Sequence, residues 1–113
     1  NRIIMEYEFT RIQARVLLEF EGEPNVIRQM VIGMTGVDES SGIQDYRDTL
    51  VSLPDPDPDN FTPFEDITQE WVLPICEKAA TDNNWEEVIA KAIEAKKVAP
   101  HLKPLPWQVN KND

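Results

Sequence analysis

Apolar positions along the chain change their period near residue 54. Between residues 12 and 20, Ala14, Val16, Leu18 and Phe20 alternate with Arg15, Glu19 and, just beyond, Glu21. A period of two is that of a strand with one buried face. The run Glu21-Gly22-Glu23-Pro24-Asn25 reads as a turn, so a hairpin follows. From Val26 to Met34 apolar side chains occupy both parities, Val26, Met30, Ile32 and Met34 on one side and Ile27 and Val31 on the other. Such a strand belongs at the centre of a sheet with both faces covered. Beyond the polar turn 38–42, Ile43 to Leu53 predict a third antiparallel strand that ends at Pro54. The first ten residues, with Ile4, Tyr7 and Phe9 among acids, either add a fourth strand or lengthen the first.

The segment Pro54-Asp55-Pro56-Asp57-Pro58-Asp59-Asn60 lacks an N–H at every second residue and can be neither helix interior nor central strand. It reads as a stiff, solvated connector. Thr62-Pro63-Phe64-Glu65 has the form of a capping box with proline at the first helical position. A second start at Thr68 predicts a helix to about Ala80, with Trp71, Val72, Ile75, Cys76 and Ala79 on one face and Pro74 tolerated in its early turns. Asn83, three before Glu86, predicts the cap of a second helix that carries Trp85, Val88, Ile89, Ala92 and Ile93 on one face. Glu87 and Lys91 stand at i,i+4, and Lys96 and Lys97 suit the C-terminal end of the dipole. Pro100, Pro104 and Pro106 then forbid helix and leave an extended tail whose Leu105 and Trp107 can dock on the body.

The expected fold is α+β. A three- to four-stranded antiparallel sheet (about 3–53) is followed by an acidic Pro-Asp connector (54–60), an antiparallel helical hairpin (about 63–98) packed on one sheet face, and a proline-rich tail (99–107). Residues 1–107 form one domain, and 108–113 are expected to be a disordered terminus. A compact monomer of 13.0 kDa exposes about 6,300 Å² and buries roughly two-thirds of its unfolded surface.

Charge narrows the functional classes. The net charge of -10 argues against binding to nucleic-acid backbones or anionic lipid. At 41% hydrophobic residues the chain is too apolar for a disordered acidic tail. No apolar run reaches the roughly 18 residues of a membrane span. Residues 1–20 lack the basic start and apolar stretch of a signal peptide. The single cysteine, Cys76, cannot form an internal disulfide, and nothing points to an oxidising compartment.

Catalytic chemistry finds no anchor. His101 is the only histidine, and Cys76 shares an apolar helix face with no adjacent cation, as a core residue does. The four glycines are too scattered for a phosphate cradle. No cofactor and no catalytic residue is therefore expected. The one metal-like pattern is Asp55, Asp57, Asp59 and Asp66, which echoes the 1, 3, 5, 12 spacing of an EF-hand calcium loop. Asn60 stands where that loop needs glycine, and prolines interrupt its path, so a solvated acidic linker is the stronger reading. Residues 38–70 hold ten acids against Arg47 alone, nearly the whole net charge. That stretch either keeps the protein in solution or offers a docking face for a basic partner. Asp55, Asp57, Asp59 and Trp107 are the partner-binding candidates.

From Pro54 onward the order of pieces resembles a family of small, uncharacterised proteins of tailed bacteriophages. The residues that carry the resemblance are the Pro-Asp loop, Phe61-Thr62-Pro63-Phe64-Glu65-Asp66-Ile67-Thr68-Gln69-Glu70-Trp71-Val72, the helical pair and Leu105-Pro106-Trp107. It covers about half the chain and brings no catalytic residue. It implies a non-enzymatic virion or accessory assembly protein, located in the virion or the host cytoplasm, that binds other virion subunits or itself. The alternative is a soluble phage-encoded acidic regulator, in its sharpest form a DNA mimic, that binds a host nucleic-acid-binding protein.

Overall fold

In the computed structural model residues 4–108 are described. A three-stranded antiparallel sheet, in the order β1-β2-β3, is built from β1 (Met5–Phe20), β2 (Glu23–Asp38) and β3 (Gln44–Ser52). Two helices follow, α1 (Gln69–Asp82) and α2 (Trp85–Val98), with short 3-10 turns at Pro58–Asn60, Phe64–Asp66 and Pro106–Gln108. The α+β expectation holds. The residues ahead of Ile12 lengthen β1, which runs from Met5, rather than adding a fourth strand. Of the expected terminus 108–113, Gln108 closes the last 3-10 turn, and 109–113 lie outside the described residues.

β1 and β2 form a long hairpin closed by Glu21 and Gly22, both at positive φ (50° and 85°), the geometry of a two-residue turn that matches the strand twist. The turn is shorter than the five residues expected, and Glu23 to Asn25 already belong to β2. Two register shifts interrupt the hairpin. Thr10 is an extra residue on β1, between the pairs Phe9–Met34 and Arg11–Gly33. Arg28 is an extra residue on β2, between Ile27–Val16 and Gln29–Arg15. Each is a β-bulge, which breaks the strict alternation of side chains.

The second bulge corrects the expected facing of β2. Met30, Ile32 and Met34 enter the core as predicted, but Ile27 packs against it too, whereas Val26 is buried outside it. A second correction concerns coverage. The helices lie on one face of the sheet, and the opposite face carries cross-strand rows such as Glu8–Thr35–Tyr46, Arg11–Gly33–Asp48 and Gln13–Val31–Leu50. Val31 is half-buried there. Third, of the alternation expected in β1, only Val16 and Phe20 are partly covered, while Ala14 and Leu18 are exposed. The inward side chains of β1 are instead Met5, Tyr7 and Phe9.

On the covered face Val72, Cys76 and Ala79 of α1 and Trp85, Ile89 and Ile93 of α2 meet Met30, Ile32 and Met34. These are the helix faces read from the 3.6-residue period. Thr68 caps α1, its hydroxyl accepting from the Trp71 N–H at 3.2 Å. The helix passes through Pro74 and ends at Asp82. Asn83 does not cap α2. Its side-chain amide donates to the Ala79 carbonyl at 2.8 Å and closes α1, while Asn84, at φ 51°, precedes α2. With only two residues between the helices, each serves a different helix end. The expected capping box at Thr62 is also absent: Pro63 takes the cap position of a 3-10 turn, with no side-chain bond.

Packing and ion pairs both tie α2 to the sheet. Gly36 lies under Ile89, where an added Cβ would come within 2.5 Å of the Ile89 Cγ2 and 3.1 Å of the Tyr7 ring. At the β2–β3 turn Asp38 is fully buried. Its carboxylate accepts from Lys97 Nζ at 2.6 Å, Ser41 Oγ at 2.8 Å and Ser40 Oγ at 3.0 Å. Lys97, then the two serines, hold the Asp38 carboxyl well below the usual carboxylate range, and Asp38 in turn raises Lys97.

Candidate functional site

The connector does not stand off in solvent. It lies along the hairpin, fastened by the bulged residue Arg28. The Leu53 N–H donates to the Arg28 carbonyl at 2.8 Å. The Arg28 guanidinium pairs with Asp55 and sits 5.7 Å from the centre of the Phe20 ring. Pro56, Pro58 and Phe61 face Phe20 and Glu23 across a small hollow near the hairpin tip. A bulge re-aims a side chain, and here it turns a lone cation toward the connector.

Between connector, β2 and α1 runs a trench of about 280 Å³. Ile27, Leu53, Ile67, Trp71 and Ile75 give it an apolar floor, and Phe61 and Phe64 stand along its wall. Asn25, Asp55, Asp57 and Asn60 supply polar groups beside them. An apolar concavity with a few polar groups is the usual form of a binding site. It is assembled by the proline-rich path itself, because prolines keep Leu53 to Asp57 extended, and the 3-10 turn Pro58–Asn60 then brings Phe61 and Phe64 to the trench.

The four aspartates read as a calcium pattern are not gathered. Asp55 is taken by Arg28. The Asp57 carboxylate accepts from the Asp59 N–H at 2.9 Å and caps the turn Pro58–Asn60. Asp66 lies in the next 3-10 turn. Among the described residues no three His, Cys, Asp or Glu side chains converge as a metal site would need.

The acidic stretch 38–70 also changes meaning once folded. Asp38 pairs with Lys97, Asp45 with Lys96 at 3.1 Å, Asp48 with Arg11 at 3.4 Å and Asp55 with Arg28. The first three cations lie far away in sequence, and none of the four is within the stretch. Of the partner-binding candidates, Asp55 and Asp57 line the trench. Asp59 follows in the turn Pro58–Asn60, exposed. Trp107 does not dock, contrary to expectation: it is 73% exposed, on a tail that is exposed from Ala99 through Gln108. The prolines that end α2 also keep the tail from folding back onto the sheet.

Cys76 is buried in the core, and burial pushes its thiol up, the setting of a structural cysteine. Sequence reasoning passed over Arg28, and it read Lys97 only as a helix-end cation, not as the partner of Asp38. The signal for Arg28 is a single cation within the apolar run Val26–Met34. No helix of the described residues is long and apolar enough to cross a membrane.

No curated protein and no solved structure matches the chain. A family model described as a domain of unknown function (DUF7936) matches residues 4–107, so the chain belongs to that family.

Proposed function

We infer that this protein is a non-catalytic binding module, and that the trench beneath the Pro-Asp connector receives an apolar segment of another protein. The observation that carries the reading is the trench itself. Phe61, Phe64 and Trp71 offer aromatic surface of the kind that anchors protein interfaces. Asp57 at its side favours a segment with a basic residue next to its apolar one. The likeness of residues 54–107 to small tailed-phage proteins makes the partner a virion or assembly subunit in this reading. The alternative of an acidic DNA mimic loses support from the four ion pairs at Asp38, Asp45, Asp48 and Asp55, because a mimic needs its carboxylates presented outward.

Mass spectrometry of particles purified from a phage that encodes the chain tests this. The expected result is incorporation at a defined copy number, reduced by Phe64→Asp, which alters an exposed trench residue and leaves the core intact. Absence from particles together with salt-sensitive recovery of a host nucleic-acid-binding protein would reverse the order of the two readings.

A further inference from the structure

Among the described residues β1 is an outer strand, and its free edge runs for 16 residues against 9 for β3 at the other edge. A long edge presents unpaired backbone donors and acceptors and templates a further strand. The side chains along it follow an order. Glu6 and Glu8 stand near its start and Arg11 and Arg15 in its middle, while Ile4, Ile12 and Leu17 are 51%, 48% and 42% exposed. Residues directly opposite in an antiparallel pair share a face of the sheet.

We propose that β1 pairs antiparallel with β1 of a second copy of this chain, about a two-fold axis between Thr10 and Arg11, to make one six-stranded sheet. In this register Glu6 faces the partner's Arg15, and symmetry makes the ion pair twice. Phe9 faces the partner's Ile12, Tyr7 its Ala14 and Met5 its Val16, all on the helix-covered face. Glu8 faces the partner's Gln13 on the open face, and Ile4 meets the partner's Leu17. The bulge decides the register. Thr10 and Arg11 are where the alternation of β1 pauses, so only an axis between them lets every pair from Met5–Val16 inward match faces. A shift by one residue sets Phe9 against Arg11 or Gln13 on the other face. A shift by two sets Arg11 against Ile12, or Thr10 against Phe9.

The surface allows such an interface. The accessible area is 8544 Å², roughly 2,200 Å² more than a compact monomer of this mass exposes. A standard interface takes about 800 Å² from each partner. Between Phe9 and Ile12 on β1 and Leu73 on α1 lies an open apolar groove that the second copy's Phe9 and Ile12 would border and narrow. No β1 residue lines the trench, so dimerisation and partner binding there can fail separately.

Sedimentation equilibrium on the full chain tests the pairing. The expected species is a dimer of twice 13.0 kDa. Arg15→Glu and Glu6→Arg each set like charges opposite and should weaken it by about tenfold, and the double variant should restore it, because the pair is then reversed. Circular dichroism on each variant keeps misfolding apart from loss of pairing. A monomer at about 100 µM, a dimer indifferent to both single changes, or a double variant no tighter than the singles would overturn the proposal.

Discussion

Gly36 shows how a single hydrogen atom can set the distance between layers. Ile89 is fully buried, and its Cγ2 occupies the space a Cβ at residue 36 would need. Gly36→Ala should therefore destabilise the fold by about 1–3 kcal/mol in urea titration, the usual cost of overpacking. Ile89→Leu removes the branch at Cβ and should recover part of that loss in the double variant. Gly33 offers the control. An added methyl there meets the ring of Tyr46, which is exposed on the open face and can swing aside, so Gly33→Ala should cost less. Neither role was legible in the sequence, since both depend on which strand face meets a helix. By contrast Cys76, Trp85 and Ile93 were legible, because the helical period alone carries them inward.

At the scale of elements, the β2–β3 turn and the end of α2 are joined through Asp38 and Lys97. Asp38 has its folded pKa depressed, so its contribution is present above its unfolded value near 4 and is lost as pH falls through the lower folded value. Lys97 has its folded pKa raised, so its contribution is full at neutral pH and is lost only as pH climbs above the ordinary lysine range. The melting midpoint should thus fall on acidification below about pH 4, and Asp38→Asn should flatten that acid limb while lowering the midpoint at pH 7. An unaltered acid limb would place the sensitivity in other carboxylates. The start of α1 at Thr68, the helix faces and the strand order were readable because a cap, the prolines and the periods are local signals. The Asp38–Lys97 contact was not, because it closes a separation of 59 residues that no local pattern encodes.

For the molecule as a whole, burial falls short of what its mass suggests. The radius of gyration is 20.1 Å, where a compact chain of this length has about 13 Å. A long hairpin beyond the reach of β3, a sheet covered on one face and an exposed tail account for the difference. Because the tail from Ala99 to Gln108 is exposed throughout, a chain ending at Ala99 should keep the melting midpoint of the full protein within about 1 °C, as surface changes usually do. A larger drop would mean that Leu105 or Trp107 packs after all. Reading charge along the sequence located the acids of residues 38–70 and Arg47, which pairs with Asp45, but not the distant cations Arg11, Arg28, Lys96 and Lys97, and it gave no view of the trench, whose walls come from three separate segments.

The two bulges bear on how the length of this chain can vary. Losing one residue from a strand ordinarily turns every side chain beyond the gap to the wrong face. Thr10 and Arg28 are the exceptions, since each is the surplus member of two residues set against one. Their loss would straighten the hairpin while Met5, Tyr7, Phe9 and Ile27 kept their inward aim. Natural relatives one residue shorter in either strand can thus share this core, although those without Arg28 must hold the connector by other means.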